Sequence, residues 1–263
     1  MLFDDRGEPA QAAAAYRAAL RIRPGYWAGG AYLGIFYLYQ GATDKALAEL
    51  DRVVRACPDN IIALNDLGAV LFKRGEYDKA MRAFESSNAI KRNPDACSNL
   101  GVLYYYSGRY AEAVNQNEAA IGFGLSDFSN LIWGNLADAY HFTPGNEAKA
   151  VEAYRKAIAI TRQTLAADPA NYRARASLAV HLAKAGEPDE ARAEIATALK
   201  DKPGDADIVL HAVFVYEIVG ARPEALEAVR EYVKLKGPMD EIMRDPFLAG
   251  LRQDPGYAEI IRK

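Results

Sequence analysis

Apolar residues return every three or four positions along most of this chain, in short blocks separated by glycine or proline. The block from Ile61 to Phe84 shows the pattern most clearly. Leu64, Leu67 and Leu71 form one apolar stripe of a helix. Gly75 ends that stripe, because the residue closing a helix often takes a left-handed conformation that glycine adopts without steric cost. Tyr77, Ala80 and Phe84 then begin a second stripe at the same period. The pattern predicts two short helices folded back on each other. Isolated helices under about 12–15 residues are marginal in water, so each helix needs its mate and each pair needs neighbours.

The same pattern recurs. Leu33-Gly34 leads to Tyr37, Gly41, Ala46 and Leu50, and Leu67-Gly68 leads to Leu71, Gly75, Ala80 and Phe84. Leu100-Gly101 leads to Tyr104, Gly108, Tyr110, Ala113 and Ala120. Leu136-Ala137, Leu178-Ala179 and Ala212-Val213 open three further units. The landmarks are spaced by about 34, 33, 36, 42 and 34 residues, a period in the range of helical repeat arrays. Gly34, Gly68 and Gly101 fall inside helices, where each costs about 1 kcal/mol relative to Ala. A cost repeated at one register implies close approach of another helix, and Ala46, Ala80, Ala113, Ala191 and Ala225 supply small faces to match. Tyr37, Tyr104 and Tyr140 fill the space between.

With Leu-Gly in the first helix, small Ala in the second and a period near 34, the chain resembles the tetratricopeptide repeat (TPR) family from about Glu8 to Lys236. The resemblance implies an all-α fold, an α-solenoid of helix-turn-helix repeats forming a right-handed superhelix whose first helices line the concave side. Residues 1–25 are read as an incomplete N-terminal repeat, its second helix carrying Ala12, Tyr16 and Ala19 and its first helix represented only by Met1 to Arg6. Residues 26–237 are read as about six repeats. Within them a helix extended over about 146–167 exceeds the repeat by about seven residues, close to two turns, so the phase is nearly kept; it is expected to project beyond the edge of the array. Residues 238–263 are read as capping helices. Asp245-Pro246 and Asp254-Pro255 are helix-start pairs, and Phe247, Leu248, Leu251, Tyr257, Ile260 and Ile261 are expected to cover the last repeat while Arg252 faces water. The stretch Trp133–Tyr140, the long helix and the Asp-Pro tail also resemble the C-terminal repeat region of bacterial signalling proteins built on a serine/threonine kinase or a winged helix. Because a helix lacking its mate exposes an apolar stripe that repeat arrays normally cap, the incomplete first repeat carries the expectation that the chain is the tail of a longer protein or that its start has been trimmed.

Composition narrows the rest. Net charge is −3 with the signs interspersed, so no basic face points to nucleic acid. No apolar run reaches the roughly 18–20 residues that span a bilayer, and Cys57 and Cys97 form no framework. A reducing cytoplasm and a bacterial source are the expectation. His141, His181 and His211 stand apart, phosphate-binding glycine loops are absent, and Asp66 and Asp138 have no evident second acid. No enzyme, metal or cofactor is expected. The expected function is a scaffold that holds a peptide or protein partner in its groove; the alternatives are a regulatory region of a larger protein and self-association through the incomplete N-terminal edge. By the resemblance, the groove is lined by Tyr32, Tyr39, Asn65, Phe72, Lys73, Asn99, Tyr105, Tyr106, Asn135, Asp138 and Phe142. Asn can bond both N–H and C=O of an extended peptide, although Asn at these positions also serves helix contacts alone. Members that grip an acidic C-terminus use Lys, Arg and Asn across three units; the tyrosine-rich surface here fits a mixed apolar and polar segment instead.

Overall fold

The apolar stripes and glycine stops produce helices throughout. A computed structural model of the chain describes residues 9–23, 26–124 and 129–262, and among these residues every regular element is helical. The expected first-helix remnant over Met1–Arg6 lies outside the described residues. Two compact units divide the chain, residues 1–103 and 104–263.

In the first unit, α1 (Pro9–Ile22) packs on α2 (Trp27–Tyr39), α2 on α3 (Thr43–Ala56), and α3 on α4 (Ile61–Lys73), which pairs with α5 (Tyr77–Ile90). The unit ends within α6 (Pro94–Tyr106). Its core gathers Ala13, Leu33, Tyr37, Ala46, Leu50 and Val70.

The second unit continues with α7 (Tyr110–Gly122), α8 (Ser129–His141), α9 (Glu147–Ala167), α10 (Tyr172–Lys184), α11 (Pro188–Asp201), α12 (Ala206–Ile218) and α13 (Arg222–Lys234). The short helix α14 (Asp240–Arg244), a 3-10 turn over Pro246–Leu248, α15 (Ala249–Arg252) and α16 (Pro255–Ile261) complete it. One core cluster joins Leu136, Tyr140, Ala150 and Tyr154; a larger one runs from Ile158 through Leu182, Ile195, Val213 and Val229 to Ile242, Leu248 and Ile260.

Punctuation differs between the two ends of a hairpin. Four first helices begin at side-chain caps: Asn60 accepts from Ala63 N–H, Asn93 from Ala96 N–H and Asn171 from Ala174 N–H, each at 3.0 Å, and Asp205 from Asp207 N–H at 3.0 Å. They end at glycine. Gly75 has φ +74°, and the Gly75 and Glu76 N–H groups return to the carbonyls of Phe72 and Leu71, both at 2.9 Å.

The helix-interior glycines answer to close packing. A Cβ on Gly68 would stand 2.7 Å from the fully buried ring of Phe84, and one on Gly34 would stand 2.6 Å from Leu50. At these two positions the neighbour demanding the glycine is thus the second helix of the same hairpin.

The extended helix α9 does not simply project. Its extra turns carry the stripe Ala157, Thr161, Leu165 onward at the four-residue spacing. Thr161 is fully buried, Leu165 packs on the large core, and Arg162 donates to Glu190 of α11 at 2.6 Å. Keeping the helical phase is what keeps this face inward. At the other end Arg252 does not face water freely: its guanidinium donates to the carbonyls of Ile242 at 2.8 Å and Asp245 at 2.7 Å. Ile261 is exposed rather than covering the last repeat.

Overpacking a filled core costs about 1–3 kcal/mol. Gly68→Val therefore lowers stability by about 2 kcal/mol, read as a reduced urea midpoint at unchanged slope; an unshifted midpoint would show that Phe84 has room to move.

Candidate functional site

The groove residues read from the sequence fall in both units. In the first, Tyr32 and Tyr39 stand on the outer side of α2, 53 % and 69 % exposed. The Tyr32 ring lies 6.0 Å from Tyr16. Phe72 is half-buried at the end of α4, edge-on to Tyr77 at 5.3 Å, with Lys73 exposed beside it.

The asparagines of this unit serve the scaffold. Asn65 donates to Asn93 Oδ1 at 2.8 Å, and Asn93 Nδ2 donates to Ser87 Oγ and to the Lys91 carbonyl, each at 3.0 Å. Asn99 donates to the Asp95 carbonyl one turn back, at 2.8 Å. These two amides are thus engaged in helix contacts.

A cleft of about 660 Å³ also opens between α1, α2 and α3, lined by Arg17, Arg21, Leu33, Glu49 and Arg52. Nothing in the sequence pattern singled it out.

The second unit brings its candidates together. Asp138 on α8 accepts from both sides: Lys184 Nζ of α10 lies 2.9 and 2.8 Å from its two oxygens, and Tyr154 of α9 donates at 2.6 Å. This ion pair is largely buried. Removing either partner of such a pair leaves an uncompensated charge in low dielectric.

Aromatic rings collect beside it. Tyr105 of α6 is 6 % exposed and packs on Tyr106, Tyr110 and Phe142 at 5.6, 5.8 and 5.9 Å; Phe142 stacks on Tyr110 at 5.2 Å. Asn135 is half-buried on α8.

The sequence reading missed what covers this group. Phe247, expected over the last repeat, lies instead 4.8 Å from the His141 ring and 4.9 Å from Phe142, with Lys184 Nζ 4.5 Å from its ring centre. Asp245, 4 % exposed, accepts from Tyr105 O–H at 3.2 Å and from Phe247 N–H at 2.8 Å. Burial pushes its carboxyl up to about 6; Lys184 opposes that shift and Asp138 adds to it. Asp-Pro-Phe was legible as a helix start, and it is one. Its position over the first helices had no local signature.

The histidines take separate places. His181 on α10 is buried, its pKa lowered to about 4 by burial and Lys184, so it is neutral at pH 7. Its ring occupies the space that a side chain on Gly134 would need, 2.5 Å from the ideal Cβ. His211 Nδ1 lies 2.6 Å from the Asp207 carbonyl. Among the described residues no group of three or more His, Cys, Asp or Glu is placed to hold a metal. No helix among them is long and apolar enough to cross a membrane.

Two family models described as tetratricopeptide repeat match the chain, one over residues 5–71 and 148–212, the other over 61–92 and 95–122. The first alone accounts for half of the residues. The chain belongs to the tetratricopeptide repeat family.

Among curated relatives, anaphase-promoting complex subunit 6 of Arabidopsis thaliana is 30% identical over 147 residues, 53% of this chain and 26% of that protein. BBSome complex member BBS4 of Mus musculus is 28% identical over 103 residues, 39% of this chain and 18% of that protein. The chain spans about a quarter or less of the length of these relatives. A tetratricopeptide repeat protein from Parabacteroides merdae shares the fold with TM-score 0.63 at 18% identity, covering 94% of this chain and 93% of that one. The Cut9-Hcn1 hetero-tetramer of the anaphase-promoting complex gives TM-score 0.64 at 17% identity over 94% of this chain and 46% of that one.

The position just before each landmark varies, and at one repeat it is an acid. Asn99 and Asn135 precede the Leu-Gly and Leu-Ala landmarks, and Asp66 holds the equivalent place before Leu67-Gly68. A second acid does stand near Asp66: burial first, and then Asp95, pushes its carboxyl up to about 7. An acid whose folded pKa is raised stabilises the fold while protonated, and that contribution is lost as pH rises through about 7. Asp66→Asn should therefore raise stability at pH 8 by about 1–2 kcal/mol and flatten the decline that the wild type shows between pH 5 and pH 7. Parallel urea melts at these pH values check this; equal pH dependence in both proteins would refute it.

Proposed function

We propose that the chain is a non-catalytic scaffold that holds another polypeptide against the first-helix face of its repeats. The exposed aromatic pair Tyr32 and Tyr39 carries this reading. Rigid aromatic rings are common anchors in interfaces, and α2 presents two of them to solvent on one side. Phe72 and Lys73 extend that surface with apolar area and a cation. Relatives that are subunits of multiprotein complexes agree with a role in assembly. A mixed apolar and polar segment suits this surface better than an acidic C-terminus. Cys57 and Cys97, both free thiols, suit a reducing cytoplasm.

The test is comparative capture from the native cell extract. The double variant Tyr39→Ala, Phe72→Ala should retain wild-type helicity by circular dichroism and lose at least about tenfold of the captured partner, since interface anchors of this kind contribute about 2 kcal/mol or more each. Undiminished capture by a folded double variant would remove this face from the proposal.

A further inference from the structure

The ends of three successive first helices, and a fourth first helix beside them, meet one short stretch of the chain's own tail. Tyr105 of α6 bonds Asp245; His141 of α8, and Phe142 just beyond it, hold the Phe247 ring; Lys184 of α10 lies over the same ring; and α12 packs against the turn Pro246–Leu248. The hydrogen bond from Tyr105 to Asp245 joins residues 140 apart in sequence.

A cap does not need this reach. Leu248, Leu251, Tyr257 and Ile260, all buried, already close the apolar end of the array on α12 and α13. Asp245 and Phe247 reach past that end to the residues that the TPR register marks as ligand-facing. They do so through directional contacts. The carboxylate receives the Tyr105 hydroxyl. The ring enters a slot whose walls are an imidazole, a phenyl ring and an ammonium, the last being a cation over an aromatic face. Pro246 fixes φ between the two groups, and Asp245 also accepts the Phe247 N–H at 2.8 Å, so local restraints within the tripeptide favour the docked shape.

We infer that the first-helix face of the second unit is a recognition site for an extended segment carrying a carboxylate, a proline and an aromatic residue in that order, and that Asp245-Pro246-Phe247 occupies it as an internal stand-in. A partner segment of this chemistry gains access by displacing the stand-in, while Ile242 and Leu248, fully buried on either side, keep the tail attached. The inference rests on the reading that first-helix faces take polypeptide, but its test uses no cellular partner. It can therefore fail while capture through Tyr39 and Phe72 survives.

The experiment uses the full chain and a fluorescein-labelled peptide of its own residues 241–249, Glu-Ile-Met-Arg-Asp-Pro-Phe-Leu-Ala. Fluorescence anisotropy should show Phe247→Ala binding the peptide at least about tenfold tighter than the wild type, whose slot is filled. Adding Phe142→Ala to that variant, or replacing the peptide's Phe by Ala, should abolish the gain. If Phe247→Ala fails to fold by circular dichroism, Phe247→Leu, which keeps an apolar side chain at the position, carries the same comparison. Equal affinity for wild type and folded variant, no binding by either, or a gain that survives loss of the peptide's Phe would each overturn the inference.

Discussion

The close approach of two helices within each hairpin is the contact on which everything else rests. Helices of 13 or 14 residues, such as α4 and α5, are near the length below which an isolated helix does not persist in water. Their stability comes from burying stripes against each other, and burial is deepest where a glycine on the first helix admits a large residue from the second. Gly68 admits Phe84 and Gly34 admits Leu50. The propensity lost at each glycine, about 1 kcal/mol, is smaller than the roughly 1.5–3 kcal/mol recovered by removing one large apolar side chain from water. In these two hairpins the exchange falls at one register, and the later hairpins place the small residues Ala137 and Ala179 there, so first helices are presented alike. A row of equivalent positions thereby becomes a continuous surface within each unit.

On that surface the second unit does something the hairpin alone does not require: it buries charge. Asp138 and Lys184 are paired, with Tyr154 giving the carboxylate a further donor. Desolvating such a pair costs several kcal/mol, which the pair's mutual attraction offsets only with good geometry and additional hydrogen bonds. Both are present. The benefit is positional. Lys184 is held where its ammonium lies over the Phe247 ring, and the same ammonium draws the buried Asp245 back toward its charged form. A purely apolar patch of the same area would hold many segments equally well. A fixed cation beside aromatic rings favours an aromatic neighbour and a carboxylate neighbour at a set spacing.

How far the sequence discloses this follows from the range of each interaction. Hairpins, their glycine stops and the alternation of first and second helices are encoded within about 34 residues, and the tetratricopeptide pattern made them legible. The length of α9 was legible for the same reason. Its packing was only half legible: two added turns preserve phase, so Leu165 continues an inward stripe instead of projecting. Asn65 and Asn99 were ambiguous in the sequence because an amide can serve a ligand or a neighbouring helix; their bonds to Asn93 and to the Asp95 carbonyl place them with the helices. Phe247 could not be placed at all. Its partners lie on other repeats, His141 and Phe142 more than a hundred residues away and Lys184 63 residues away, and no periodicity links a tail residue to a groove register.

The two units thus carry the same kind of first-helix surface in different states. In the first, Tyr32 and Tyr39 are largely exposed, Tyr32 with the Tyr16 ring beside it, and Phe72 is half-buried against Tyr77. In the second, Tyr105 is nearly inaccessible and Phe142 is shared between Tyr110 and the tail's Phe247. An exposed aromatic surface binds as soon as a partner arrives; a covered one binds only to a partner that outcompetes a tethered ligand. Tethering raises the effective concentration of the stand-in to the millimolar range or above, so the covered surface discriminates against weak, non-specific apolar contacts that the open surface would accept. Under the proposed displacement of the tail, selectivity in the second unit would come from a local competition within the chain and would require no contact with the partner beyond those the tail already makes.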